Sequence, residues 1–298
     1  MKKYVLLICI LAVCILLAAV VYILPGMIMT GKRQTLDEAM QWQSDHYDTS
    51  FYGALKKTPY TITAEDGYAL HAELLRNLEK SSRYVILSHG YTDNRVGSLK
   101  YVQIYLDLGF NCIIYDLRGH GENEPTFTTY GIREGKDLRD IVEDTRKRYP
   151  ELTALGLHGE SLGAATTVSS LRYQPKVDFA VADCAFSDIE NVLQNGFKSA
   201  HLPGVTFSLA NLGARLRYHY ALSEMRPVDA LSRNRIPLCL IHGADDSQIL
   251  PQNSQTLYDA AKGYKEIHLI EGAGHAESVL TKPKEYEEIL RKFLKKVY

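Results

Sequence analysis

The chain has 298 residues, of which 46% are hydrophobic and 23% charged, and its formal net charge is −1. That length suits one large α/β domain, alone or with a small insertion, and the composition is that of a globular protein. A charge balance so close to zero provides no field to gather nucleic acid, which argues against a nucleic-acid partner.

After "MKK" comes "YVLLICILAVCILLAAVVYIL", 21 uncharged residues from Tyr4 to Leu24, enough to cross a hydrocarbon core as a helix. It shows no polar face at helical spacing, as a soluble core helix would. It is longer than the apolar region of a cleaved signal peptide and ends in no clear small-x-small site; "LAVC", ending at Cys14, matches a lipoprotein box poorly because Val13 stands at a small-residue position. Residues 1–30 therefore read as an uncleaved signal anchor. Lys2 and Lys3 oppose Lys32 and Arg33 across it. The nearer charges and the short tail favour a cytoplasmic N-terminus, which places the rest of the chain outside the cell membrane.

Residues 31–57 read as a linker with a packing helix, "TLDEAMQWQ". The main domain, 58–298, opens with "YTITAEDGYALHAELLR", two alternating segments around an "EDG" turn, which predicts a β-hairpin. The strand candidates that follow are "YVILSHG", "NCIIYD", "LTALGLHG", "VDFAVAD", "IPLCLIHG" and "EIHLIEG". Helical patterns run from Gly97 to Leu108, Arg133 to Tyr149, Leu162 to Tyr173, Pro251 to Lys262 and Pro283 to Lys296. Apolar strands separated by helices imply a mostly parallel sheet covered on both faces, an α/β fold. Cys112, Cys184 and Cys239 lie in or beside apolar runs, as small hydrophobes do, and no cysteine spacing suggests a disulfide framework or a zinc site.

In such sheets the chemistry gathers at the C-terminal ends of the strands. Those ends carry "SHG", "DLRGHG", "HGESLG", "HGADD" and "GAGH". In "HGESLG", Gly159, Ser161 and Gly163 sit between an apolar strand and a helical segment. A nucleophile on such a turn projects clear of the sheet, and glycines two places to either side remove side chains that would collide with backbone. The amide of Leu162 then opens a helix and can face a developing negative charge. The motif alone is weak, since a Gly-Ser turn capping a helix is common; the flanking strand and helix strengthen it.

A serine hydroxyl needs a base and a group to orient that base. His89, His158 and His242 each follow an apolar run directly and His120 lies in a loop, so these read as structural. His275 stands among small residues in "EGAGHAES", after the last strand, and is the candidate base. Asp245 and Asp246 both follow the preceding strand; only one of two adjacent side chains can face an imidazole, and Asp183 is a substitute.

With "SHGYTDN", "YDLRGHGENE", "GESLG", "IHGADD" and "GAGH" in this order over residues 58–298, the chain resembles the α/β-hydrolase superfamily, and within it bacterial hydrolases of unassigned substrate that carry one N-terminal membrane segment. The resemblance implies a serine hydrolase with Ser161 as nucleophile, His275 as base and Asp246 as acid, although here "SQILP" follows the acid where D-x-x-V-P is usual. It also implies a second oxyanion donor, the Tyr91 amide beside that of Leu162, and no metal or organic cofactor. The expected substrate is a small acyl compound, with carboxylic ester ahead of thioester or peptide. A serine peptidase is the rival enzyme, and a membrane-tethered binding module without turnover the rival of another class. About fifty residues, roughly 185–235, separate two strands and are expected to form a helical cap. Phe197, Phe207, Leu209, Leu212 and Tyr218 there are of a kind to line an apolar pocket, but packing the cap onto the sheet is the expected use of most of them, and "RYHY" is open to reading as a solvated face.

Overall fold

The computed structural model describes residues 2–297. Eight strands, β1 (Lys56–Thr63), β2 (Ala69–Arg76), β3 (Arg83–Ser88), β4 (Asn111–Tyr115), β5 (Ala154–Glu160), β6 (Phe179–Asp183), β7 (Leu238–Gly243) and β8 (Lys265–Ile270), form one sheet in the order β1-β2-β4-β3-β5-β6-β7-β8. β1 and β2 make the antiparallel hairpin expected around Gly67, whose φ of 83° suits glycine in the turn. β2 also pairs antiparallel with β4, and every pairing from β4 through β8 is parallel. Strands β4 to β7 are buried along their whole length, which explains why they read as unbroken apolar runs rather than alternating ones.

Helices α1 (Lys2–Met29), α2 (Leu36–His46), α3 (Ser50–Ala54), α4 (Leu99–Asp107), α5 (Ile132–Arg148), α6 (Leu162–Ser170), α7 (Ile189–Ser199), α8 (Val205–Tyr218), α9 (Gln252–Ala260), α10 (Ser278–Thr281) and α11 (Pro283–Val297) surround the sheet. On one face Leu99, Val102 and Tyr105 of α4 pack with Tyr286, Leu290 and Phe293 of α11 over Val85, Leu87 and Ile114. On the other, Leu138 and Ile141 of α5 and Ala164, Ala165 and Val168 of α6 cover Ile86, Ile113 and Leu157. Two buried faces make this the α/β architecture expected from the sequence.

α1 is 28 residues long and contains an 18-residue stretch with a mean hydropathy of 3.3, long and apolar enough to cross a membrane. Its early residues are exposed, whereas Pro25, Gly26, Ile28 and Met29 are buried against the rest of the chain. The segment that follows is held to the rest of the chain by hydrogen bonds. The Gln34 amide donates to the Thr92 carbonyl at 2.7 Å, and Arg33 Nη2 donates to Thr128 Oγ1 at 2.7 Å. α2 then starts on a capping box, Thr35 Oγ1 accepting from the Glu38 amide at 3.2 Å while Glu38 accepts from the Thr35 amide at 2.9 Å. Between β6 and β7 the chain inserts α7 and α8, followed by 3-10 turns at Leu222–Glu224 and Pro227–Leu231. α7 starts at Asp188, whose carboxylate accepts from the Asn191 amide at 2.8 Å.

Candidate active site

Ser161 sits at the junction of β5 and α6 with φ 52° and ψ −112°, a conformation that costs a non-glycine residue energy and lifts the side chain off the sheet. Its amide donates to the Asp183 carbonyl and its carbonyl accepts from Ala165, both at 2.9 Å, which locks the turn. The flanking glycines are steric necessities: a Cβ on Gly159 would overlap the backbone of Gly163 and Ala164, and one on Gly163 would overlap the Ser88 and His89 carbonyls. The Leu162 amide, first in α6, has no acceptor within the helix. Tyr91 follows β3 and lines the same cleft.

The loop after β8 brings His275 over this turn. His275 Nε2 lies 3.0 Å from Ser161 Oγ, and His275 Nδ1 lies 2.7 Å from Asp246 Oδ2. Asp246 is buried, and its Oδ1 accepts from the amides of Gln248 and Ile249, each at 2.9 Å, so its other oxygen is left for the imidazole. Burial alone would raise the Asp246 pKa. Hydrogen bonds from His242 and His275, the His275 charge and the Ile249 amide outweigh it and hold the carboxyl well below the usual range. Asp245 is exposed. Asp183 accepts instead from the Tyr101 hydroxyl at 3.1 Å, and burial followed by the Glu160 charge pushes its pKa up to about 6.

The other histidines hold the frame. His89 Nδ1 bonds the Gly90 carbonyl at 2.8 Å and its Nε2 accepts from the Leu117 amide at 2.9 Å, which pins the loop carrying Tyr91; burial lowers its pKa to about 4. His158 lies between the Tyr105 and Tyr286 hydroxyls at 3.0 and 3.2 Å, and burial lowers its pKa to about 3. His242 Nε2 reaches the Ile249 carbonyl at 2.8 Å and Asp246 Oδ2 at 3.2 Å, and so supports the acid directly. His120 Nδ1 bonds the Arg118 carbonyl at 2.9 Å.

Two features were not foreseen from the sequence. Lys100, buried on α4, pairs with Glu160, the neighbour of Ser161, and donates to the Ala276 carbonyl, next to His275, at 3.0 Å. Burial opposes its charge, but Glu160 overrides burial and raises the ammonium pKa. One buried cation thus ties the serine turn to the histidine loop. The second feature is strain: Thr92, Tyr130, Ser161 and Ala276 all line the cleft at positive φ (67°, 48°, 52° and 60°).

The cleft has a volume of about 410 Å³. Its apolar wall comes from Phe186, Ile189, Val192 and Leu193, around the start of α7. None of the five aromatic or aliphatic residues singled out in the insert lines it. Phe207 and Tyr218 are buried in the core, Phe197 packs against it, Leu209 is half-buried, and Leu212 is exposed. In "RYHY", Arg217 and His219 are exposed while Tyr218 is buried, and Arg217 Nη1 donates to the Tyr22 carbonyl at 3.0 Å. The i, i+3, i+4 spacing of residues 189, 192 and 193, directly after a strand end, was the signal for the true wall.

Cys184, Asp246 and His275 offer ligand atoms within 4.8 Å of one another. Burial pushes the Cys184 thiol well above its ordinary range, so it stays protonated, and both His275 nitrogens face hydrogen-bond partners. That donor set suits proton transfer better than a metal ion.

Residues 97–298 match the model of the prolyl oligopeptidase family. The chain belongs to this family. It is therefore an α/β hydrolase. This family member is 28% identical over 300 residues to the uncharacterized protein YqkD of Bacillus subtilis, covering 99% of this chain and 97% of that one. The human α/β hydrolase domain-containing protein 17C is 27% identical over 229 residues, 72% of this chain and 59% of the relative. Among solved structures, the Pyrococcus furiosus esterase Pf2001 superposes with a TM-score of 0.70 at 25% identity, covering 84% of this chain and 94% of the esterase.

Proposed function

We propose that this family member is a membrane-tethered serine hydrolase that cleaves carboxylic esters through an acyl-enzyme. The observation that carries the reading is the relay of 3.0 and 2.7 Å from Ser161 Oγ through His275 to Asp246 at the floor of an apolar cleft. In acylation, His275 Nε2 takes the Ser161 proton as Oγ bonds to the substrate carbonyl carbon, and Asp246 holds the Nδ1–H tautomer and stabilises the imidazolium. The tetrahedral oxyanion accepts from the amides of Leu162 and Tyr91, each donor worth about 3 to 4 kcal/mol. The imidazolium then gives its proton to the leaving alcohol, and water repeats the sequence to release the acid.

The chemistry of the cleft favours an ester over a peptide. Among the described lining residues only Glu160 is acidic, and Lys100 neutralises it, so no free carboxylate waits for a peptide ammonium. Likeness to the Pyrococcus furiosus esterase supports the same choice. We further place the catalytic domain, residues 58–298 with the insert as its cap, on the outer side of the cell membrane, with α1 as the anchor.

Ser161→Ala in the full chain should abolish labelling by a fluorophosphonate probe and turnover of a short p-nitrophenyl ester. Labelling that persists in the variant refutes Ser161 as the nucleophile.

A further inference from the structure

α1 and α8 are packed together where the apolar run of α1 ends. As a helix, Tyr4–Leu24 rises ~31 Å, about the thickness of a hydrocarbon core. Tyr4 and Tyr22 stand near its two ends, the level that amphipathic rings favour in a bilayer. α8 touches α1 at the second of these levels. Pro25 has no N–H to bond the Val21 carbonyl, and Gly213 lies directly against that oxygen, where a Cβ would overlap it. Arg217 stacks over the Tyr22 ring at 4.5 Å and also donates to its carbonyl.

α8 has three faces. Phe207, Ala214 and Tyr218 point into the core, and Gly213 and Arg217 meet α1. The third carries Val205, Leu209, Leu212 and Leu216, an i, i+4, i+7, i+11 stripe opposite the core and adjoining the α1 face. Val205, Leu212 and Leu216 are 58, 49 and 65% exposed, and Leu202, just ahead of the helix, is 45% exposed. Such a stripe, beside a membrane-length helix and at the height where that helix leaves the hydrocarbon, has a lipid surface as its natural cover.

We propose that α8 is a second membrane contact, an interfacial helix whose Val205–Leu216 stripe is immersed in the phospholipid bilayer that α1 crosses. The contact fixes the cleft at the membrane surface. The Tyr91 and Tyr130 hydroxyls both donate to the Ile28 carbonyl, at 2.8 and 2.5 Å, so the end of α1 is built into the wall of the cleft those two residues line. Resting on the hydrolase reading above, this names the substrate class as acyl esters of amphiphiles that reach the cleft from the bilayer.

The test uses the full chain reconstituted in phosphatidylcholine vesicles, with the native Trp42 signal subtracted. Leu212→Trp should emit to the blue of Leu78→Trp, a control at an 82% exposed site, and should be quenched by lipid brominated in the upper acyl chain while the control is not. Equal emission and equal quenching at the two sites overturn the proposal. A blue shift that ignores bromine and grows with protein density assigns the stripe to a second copy of the chain and overturns it equally. The double variant Leu212→Glu/Leu216→Glu should lose about tenfold or more on a long-chain ester presented in vesicles, yet keep its rate on a short water-soluble ester. Equal loss on both, or on neither, refutes the substrate class. A wild-type chain inert toward the short ester would instead refute the hydrolase reading, leaving the quenching result intact.

Discussion

Replacing Asp246 with asparagine tests the relay at its most constrained point. Oδ1 of Asp246 accepts two backbone amides at 2.9 Å, and Oδ2 faces His275 Nδ1 and His242 Nε2. In Asp246→Asn the carboxamide oxygen must take the Oδ1 position to keep those amides satisfied. Its NH2 then points at His275 Nδ1, which becomes an acceptor, and the ring proton moves to Nε2, where it faces Ser161. A histidine protonated there cannot take the serine proton. Flipping the carboxamide restores the working tautomer but strands both amides against an NH2, at ~1–3 kcal/mol each. The loss is therefore ~2–6 kcal/mol in the transition state, or about 30- to 3 × 10⁴-fold in kcat/KM at tenfold per 1.36 kcal/mol. Asp245→Asn, at an exposed side chain, should stay within about twofold, since substitutions of this kind usually shift free energies by less than 0.5 kcal/mol. Initial rates on a p-nitrophenyl ester measure both. Asp246→Asn with more than a tenth of wild-type activity, or a larger loss in Asp245→Asn, would falsify the reasoning.

The Lys100 tie is best tested with its charges removed together, because Lys100→Met alone strands a buried carboxylate at a cost of about 3–5 kcal/mol. Lys100→Met/Glu160→Gln should fold with near-native stability but lose the bond to the Ala276 carbonyl, so that kcat falls ~10- to 100-fold with KM little changed; an unchanged kcat shows that the tie does not position His275. For topology, protease added to intact cells should digest the catalytic domain, and protection until lysis would place it in the cytoplasm.

The strands were legible because burial on both faces leaves their sequence little choice: Val85–Leu87, Ile113–Tyr115 and Leu238–Ile241 are buried from end to end. Ser161, Asp246 and His275 could be picked out as a set because each stands just beyond a strand end, and parallel strands bring those ends to one edge. The chain alone left Asp245 and Asp246 open. The fold turns Asp246 inward through two backbone amides, a detail of loop geometry with no sequence signature. Lys100 escaped notice because a lysine on an amphipathic helix ordinarily reaches water, and only the packing of α4 beneath the serine turn makes it a buried cation. The insert was only half legible for a related reason: the packing of Phe207 and Tyr218 could be expected, the exposed side of α8 could not. Which side of α8 faces the sheet depends on where α1 lies, and helical periodicity says nothing about a partner nearly two hundred residues away.

The two phenol hydroxyls on the Ile28 carbonyl bear on how a soluble form should be cut. A truncation just after Met29 would take that acceptor from both Tyr91 and the buried Tyr130. A boundary upstream of Val21 keeps the last turns of α1 on Gly213 and Arg217 and removes most of its apolar length. For this chain, the border between apolar helix and folded domain runs inside α1 itself.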